Sequence, residues 1–200
     1  MRELLNEMGY RSIVQQKNMA WFLPRPKRDH YKGGMPLHCE EWLIELAEDI
    51  LEKKADILNI FCGMNKYGFR VDMNKEVEPD VLCDAHEITK HVTKKFNVII
   101  ADPPYSDEES KELYGTGPLN YSVWTLECDK LLAVNGLLIV YHKYIMPNPD
   151  PSIYRVVKRV FIGSRTYHVP RVAIYFRKIA DKEMSDDEKM VRQAVFDFLE

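Results

Sequence analysis

Asn97-Val98-Ile99-Ile100-Ala101-Asp102-Pro103-Pro104-Tyr105 joins an apolar run to an acid, two prolines and an aromatic ring. The unbroken apolar stretch from Val98 to Ala101 reads as a strand buried on both faces, the pattern of a parallel sheet covered by helices. Proline fixes φ and carries no N–H, so the bend after Asp102 leaves carbonyl acceptors exposed. It does so at a strand's carboxyl end, where open α/β sheets bind ligands. An acceptor cluster beside the Tyr105 ring suits a planar group that carries an amine.

Working outward, strands are predicted at 57–61, 69–72, 80–83, 136–142, 158–163 and 171–177, besides 97–101. Helices are predicted over 36–53, where Leu37, Trp42, Leu43, Leu46, Ala47, Ile50 and Leu51 make one stripe, and near 86–95, 120–133 and 151–156. A short helix at 1–8 and an irregular or strand-like piece through Trp21-Phe22-Leu23 precede them. Strands interleaved with helices predict an α/β fold built on a mostly parallel seven-stranded sheet. Ser185 and Glu188 form a capping box opening a tail helix with Met190, Val191, Ala194, Val195, Phe198 and Leu199 on its apolar face. That face either folds back on the sheet or docks on a partner.

The 200 residues suffice for one sizeable core, here divided into an extension (1–30), the main domain (31–180) and the tail helix (181–200) as part of the same unit. With 30% charged residues and no apolar run of membrane-spanning length, no membrane partner is expected, and a cytoplasmic location is. Cys39, Cys62, Cys83 and Cys128 lack paired spacing and read as buried thiols; no metal site is expected. A net charge of −3 argues against a protein coated in positive charge for gripping duplex DNA. Arg25, Lys27, Arg28 and Lys32, interleaved with Pro24, Pro26, His30 and Tyr31, form a local patch that reads equally as a phosphate contact or a solvated connector.

Three further strand ends are chemically suggestive. Phe61-Cys62-Gly63 turns sharply after the first core strand, Val71-Asp72-Met73 places a carboxylate suited to ribose hydroxyls, and Cys83-Asp84-Ala85 places another suited to an adenine amine. Glycine turn, acid, second acid and then Asp102-Pro103-Pro104-Tyr105, each behind a strand, resembles the S-adenosylmethionine-dependent amino-methyltransferases with the Asp-Pro-Pro-Tyr motif. The likeness covers residues 30 to 178 in pattern and implies the Rossmann-like class I methyltransferase fold. Gly63-Met64-Asn65-Lys66-Tyr67-Gly68 departs from it, running into the next strand with no room for the first crossover helix.

The resemblance implies S-adenosyl-L-methionine as cofactor. Phe61, Cys62 and Gly63 would lie beside its methionine portion, Asp72 with Met73 at the ribose, and Asp84 with Ala85 at the adenine. Lys32-Gly33-Gly34-Met35-Pro36-Leu37 resembles the family's Pro-Leu turn, placing Lys32 and Pro36 at the methionine carboxylate. Asp102, Pro103, Pro104 and Tyr105 would be catalytic, with Tyr105 stacking on the base and Tyr121, Tyr114 or Trp124 either its opposite wall or, equally, part of the core. The activity implied is methyl transfer to a nucleobase amino group, first N6 of adenine in DNA. Adenine N6 or guanine N2 in RNA is the alternative, and a non-catalytic binding subunit is the other class. Only the short segment Ser106–Asn120 is available for reading a target, so a separate recognition subunit is a second route to specificity.

Overall fold

The computed structural model describes residues 17–24, 34–105, 111, 119–164 and 169–182. The helices predicted at 1–8 and 185–199, the basic segment from Arg25 to Lys32, and Tyr114 lie outside the described residues. The elements are β1 (Asn18–Phe22), α1 (Cys39–Leu51), β2 (Ile57–Ile60), β3 (Phe69–Asp72), β4 (Val81–Leu82), β5 (Phe96–Ala101), α2 (Tyr121–Leu131), β6 (Leu132–His142), β7 (Tyr154–Gly163) and β8 (Arg171–Lys178).

The strands form one sheet in the order β1-β7-β8-β6-β5-β2-β3-β4. Every neighbouring pair is parallel except the two involving β8, which runs antiparallel between β6 and β7. This is the expected mostly parallel α/β fold, with eight strands rather than seven because β1 adds to β7 at the edge. The chain winds outward from β2 through β3 and β4, then returns to β5 on the other side of β2. The β2–β5 boundary is therefore the topological switch point, the place at which open α/β sheets bind ligands outside their carboxyl ends.

Alternation along the central strands divides the core in two. Val98 and Ile100 of β5 pack with Leu43, Leu46 and Ala47 of α1 on one face. Ile99 and Ala101 pack with Trp124, Cys128 and Leu131 of α2 on the other. Burial on both faces explains why these strands are apolar throughout. The far end of α2 is fixed by Lys178, which is buried and meets the Asp129 carboxylate at 2.8 Å while donating to the Asp129 and Leu132 carbonyls.

The compressed crossover is real, and it is repeated. Residues 61–68 return from the end of β2 to the start of β3, and residues 73–80 do the same between β3 and β4, with only a 3₁₀ turn at Lys75–Val77. A parallel crossover normally needs a dozen residues or more. Here the strands are so short that eight suffice: four strand residues rise about 13 Å, and eight extended residues reach about 26–29 Å. Arg70 ties the two loops together, its Nη2 donating to the carbonyls of Gly63 (3.1 Å) and Val77 (2.6 Å) and its Nη1 to that of Glu78 (2.9 Å).

Three predicted elements differ. The helix expected near 86–95 is a 3₁₀ helix over Ala85–Lys90, kinked at Glu87, because β-branched Ile88, Thr89, Val92 and Thr93 disfavour a regular helix. The helix expected at 151–156 is a turn followed by β7: Ile153 and Tyr154 N–H groups donate to the Asp150 carbonyl, and the strand starts at Tyr154. Strand β6 begins at Leu132 rather than 136, through a bulge in which Phe96 pairs with Leu132 but Val98 with Leu137.

Candidate active site

Because Ile60 of β2 pairs with Ala101 of β5, Phe61 and Asp102 are the next residues of two adjacent parallel strands. The Phe61–Gly63 turn and the acceptor bend therefore lie side by side at the switch point. Phe61 turns at φ 53 and Gly63 at φ 48, both left-handed. A non-glycine residue with φ above zero is uncommon, and the Phe61 ring is held there edge-on to Trp124, centroids 5.6 Å apart. Trp124 is 1% exposed, so of the two readings the sequence left open it takes the core position beneath the turn. Tyr121 is packed edge-on to Trp124 as well, its hydroxyl donating to the Pro147 carbonyl at 2.7 Å.

Asp72 braces this turn. Its Oδ2 accepts the Gly63 N–H at 2.9 Å and its Oδ1 the Asn74 N–H at 2.8 Å, while the residue is only 2% exposed. Burial pushes its carboxyl upward against the pull of the Asn74 and Gly63 N–H groups. Met73, the next residue, stands at the surface. Cys62 is buried and its thiol is pushed up to about 12, chiefly by burial, which makes it packing rather than a nucleophile.

Glu40 supports the turn from the other side, a role the sequence reading missed. It sits in the first turn of α1, 8% exposed, and accepts from Asn59 Nδ2 (2.9 Å), Lys66 N–H (3.1 Å) and Tyr67 N–H (3.3 Å). The loop that replaces the crossover helix thus hangs on a buried carboxylate. Pro36 lies in the turn before α1, its carbonyl accepting the Cys39 N–H at 3.0 Å. The Asp102 charge raises the thiol pKa of Cys39, after burial itself, so the Pro36–Cys39 turn stands close to the acceptor bend. Lys32 lies outside the described residues.

Asp84 and Ala85 are placed further along the sheet, on β4's end, with β3 and β2 between them and β5. Asp84 Oδ1 accepts from the His86 N–H (2.9 Å) and lies 2.8 Å from His86 Nδ1, and His86 Nε2 accepts the Asn120 N–H at 3.0 Å. This chain fixes the start of α2, where Asn120 caps the Ser122 and Val123 N–H groups. Ala85 is buried against the core.

At the bend, the Tyr105 hydroxyl donates to Asp102 Oδ1 at 3.1 Å. Burial first, then the Asp102 charge, pushes the Tyr105 phenol far upward, so it stays protonated and acts as a donor. Its ring is edge-on to His142, centroids 5.0 Å apart, and carries the Arg171 guanidinium at 4.6 Å. The expected stacking ring is thus already capped by a cation. His142, Lys143 and Arg171 were not anticipated, although His142 follows the apolar run Leu137–Tyr141 and is a strand end like the others. Arg171 opens the antiparallel strand β8, so only the topology brings it to the same edge.

His142 is 5% exposed and its Nδ1 accepts the Tyr144 N–H at 3.0 Å. Burial, then the charges of Lys143 and Arg171, lowers its imidazole from an ordinary 6.5 to about 4. Between those values the unfolded chain binds a proton that the folded chain refuses, so stability falls as pH drops from about 6.5 toward 4. His142→Asn is expected to flatten that part of the profile in urea titrations at pH 7 and pH 4.5. Equal acid losses in variant and parent would remove His142 as the cause.

No protein-family model matches the chain, and no curated protein matches it. Among solved structures, TrmN from Thermus thermophilus superposes with a TM-score of 0.53 at 13% identity, covering 74% of this chain and 50% of that one. The N-methyltransferase NodS from Bradyrhizobium japonicum WM9 in complex with S-adenosyl-L-homocysteine gives 0.49 at 12% identity, covering 69% and 84%. An rRNA methylase from Streptococcus thermophilus gives 0.45 at 13%, covering 68% and 97%. At these identities the likeness to TrmN is one of fold, and the chain spans half the length of that structure.

Proposed function

We propose that this protein is an S-adenosylmethionine-dependent methyltransferase acting on an exocyclic amino group of a nucleobase, with N6 of adenine in DNA as the first substrate to test. The observation that carries the reading is the Asp102-Pro103-Pro104-Tyr105 bend at the carboxyl end of β5, directly beside the left-handed Phe61–Gly63 turn at the switch point.

The donor and acceptor set fits the cofactor. A carboxylate offers about four acceptor positions; the Gly63, Asn74 and Met73 N–H groups hydrogen-bond the Asp72 carboxylate, which leaves capacity for a ribose hydroxyl. Further donors also relieve a buried carboxylate whose pKa is raised. When bound, the cofactor supplies a methyl group on a positively charged sulfur. Asp102 and the Pro103 carbonyl accept hydrogen bonds from the substrate amine and favour a pyramidal nitrogen, whose lone pair is otherwise delocalised into the ring. The Tyr105 O–H holds Asp102 Oδ1 in place for this. The nitrogen must then lose a proton, and the Asp102 carboxylate, already bonded to that amine, is the acceptor that passes it to water.

Asp72→Ala is expected to weaken cofactor binding about tenfold or more, because it removes an acceptor and leaves the Gly63 N–H unpaired in a buried place. Calorimetry showing unchanged affinity would reject the ribose role. The function itself is tested by incubating the protein with cofactor carrying a labelled methyl group and separate DNA and RNA pools, then digesting to nucleosides. Label in N6-methyladenosine or its deoxy form supports the reading and assigns DNA or RNA. Label in neither pool, from protein that binds cofactor, overturns it.

A further inference from the structure

Beyond the acceptor bend, the same edge of the sheet carries Lys143, Tyr144 and Arg171. Tyr144 is 61% exposed although its neighbour His142 is buried, and the two rings are 5.4 Å apart. Lys143 Nζ lies 5.2 Å from the Tyr144 ring centroid and 5.8 Å from that of Tyr105, and the Arg171 guanidinium lies 4.6 Å from the Tyr105 centroid. Two rings and two cations therefore alternate along a short stretch of rim. The chain as a whole carries a net charge of −3, so this positive charge is local rather than part of a general coat.

That alternation matches one kind of polymer. An unpaired nucleic-acid strand offers a π-face and a phosphate at every step, and aromatic rings interleaved with cations are how such strands are held without reading their sequence. A duplex offers its phosphates but keeps its base faces stacked on each other. We propose that Lys143, Tyr144 and Arg171 form an entry platform for a single-stranded segment: Tyr144 stacks on a base flanking the target, while Lys143 and Arg171 neutralise phosphates. The proposal rests on the nucleobase-amine reading and deepens it, since the target base arrives already unpaired instead of being flipped from a duplex. Arg171 has a double part. Its planar guanidinium covers the Tyr105 ring much as a base would, and transfer of that cation to a phosphate uncovers the ring as the target base arrives.

The test is fluorescence anisotropy without cofactor, using a labelled DNA strand of about 12 nucleotides, its RNA equivalent and the same DNA sequence as a duplex. Single strands are expected to bind more tightly than the duplex. Tyr144→Ala is expected to weaken single-strand binding about tenfold, and Tyr144→Phe to keep it, because stacking needs only the ring. Lys143→Gln is expected to reduce the slope of log affinity against log salt by about 0.7. Equal or tighter duplex binding, no binding of single strands, or a Tyr144→Ala variant that binds like the parent would each overturn the platform. Methyl transfer to duplex DNA with no such preference sinks the platform and spares the nucleobase reading; tight single-strand binding with no transfer to any nucleic acid does the reverse.

Discussion

Asp102→Ala is expected to lower methyl transfer by about 10²–10³-fold, the usual cost of removing one preorganised group aimed at developing charge, while cofactor affinity stays that of the parent. The two readouts separate because Asp102 follows β5 while the Phe61–Gly63 turn proposed for the cofactor is braced by other residues, Asp72 and Glu40. Asp102→Asn keeps an oxygen acceptor but loses the charge that receives the proton, so it is expected to fall between parent and Ala variant. Tyr105→Phe removes the donor to Asp102 Oδ1 while keeping the ring, and its loss measures how much of the effect is orientation. Single-turnover transfer of a labelled methyl group, with calorimetry for the cofactor, measures all three. Unchanged turnover in the Ala variant takes Asp102 out of the mechanism.

What the sequence disclosed follows from which forces act locally. Val98–Ala101 is buried on both faces and reads as a central parallel strand from its side chains alone, and the bend after it is written in two prolines. The strand-end rule singled out Gly63, Asp72, Asp84 and Asp102 because each stands at the end of a strand pattern: three follow apolar residues without interruption, and Asp72 closes Phe69-Arg70-Val71. Glu40 escaped notice because a charged residue in a helix's first turn reads as favourable to the helix dipole; its burial comes from a loop more than twenty residues away. Arg171 was invisible for a topological reason, since only an antiparallel β8 between β6 and β7 turns its first residue toward the carboxyl ends. β7 was misread at its start because Pro151-Ser152-Ile153 carries turn and helix-entry chemistry at once.

The shortened crossovers bear on function as well as fold. A full helix after β2 would buttress the Phe61–Gly63 turn with its own packed face; in its place backbone N–H groups donate to the Glu40 and Asp72 carboxylates, and Arg70 donates to backbone carbonyls. Such a turn is held by polar contacts to buried or half-buried partners, and each is costly to lose because the remaining group is left unpaired.

Gly68→Ala is therefore expected to be among the most damaging single-methyl changes in the chain. Gly68 sits at φ +82, where a side chain is strained, and a Cβ there would lie 2.6 Å from both the Cβ and the carbonyl oxygen of Ile57. Ile57 begins β2, and its neighbours pair with β3 and β5, so neither the loop nor the strand can retreat without breaking the ladder at the switch point. Backbone strain and overlap together are expected to cost about 2–5 kcal/mol, a fall in melting temperature of roughly 4–20 °C for a protein of this size. The displaced loop would carry Lys66 and Tyr67 away from Glu40, leaving a buried carboxylate short of donors, so cofactor affinity should fall with stability. Gly63→Ala provides the contrast: it places a side chain at φ 48 in the turn proposed for the cofactor and should reduce cofactor binding more than melting temperature. Thermal melts and cofactor titrations of both variants decide it, and a Gly68→Ala protein that melts like the parent would show that the loop does not need the close passage over Ile57.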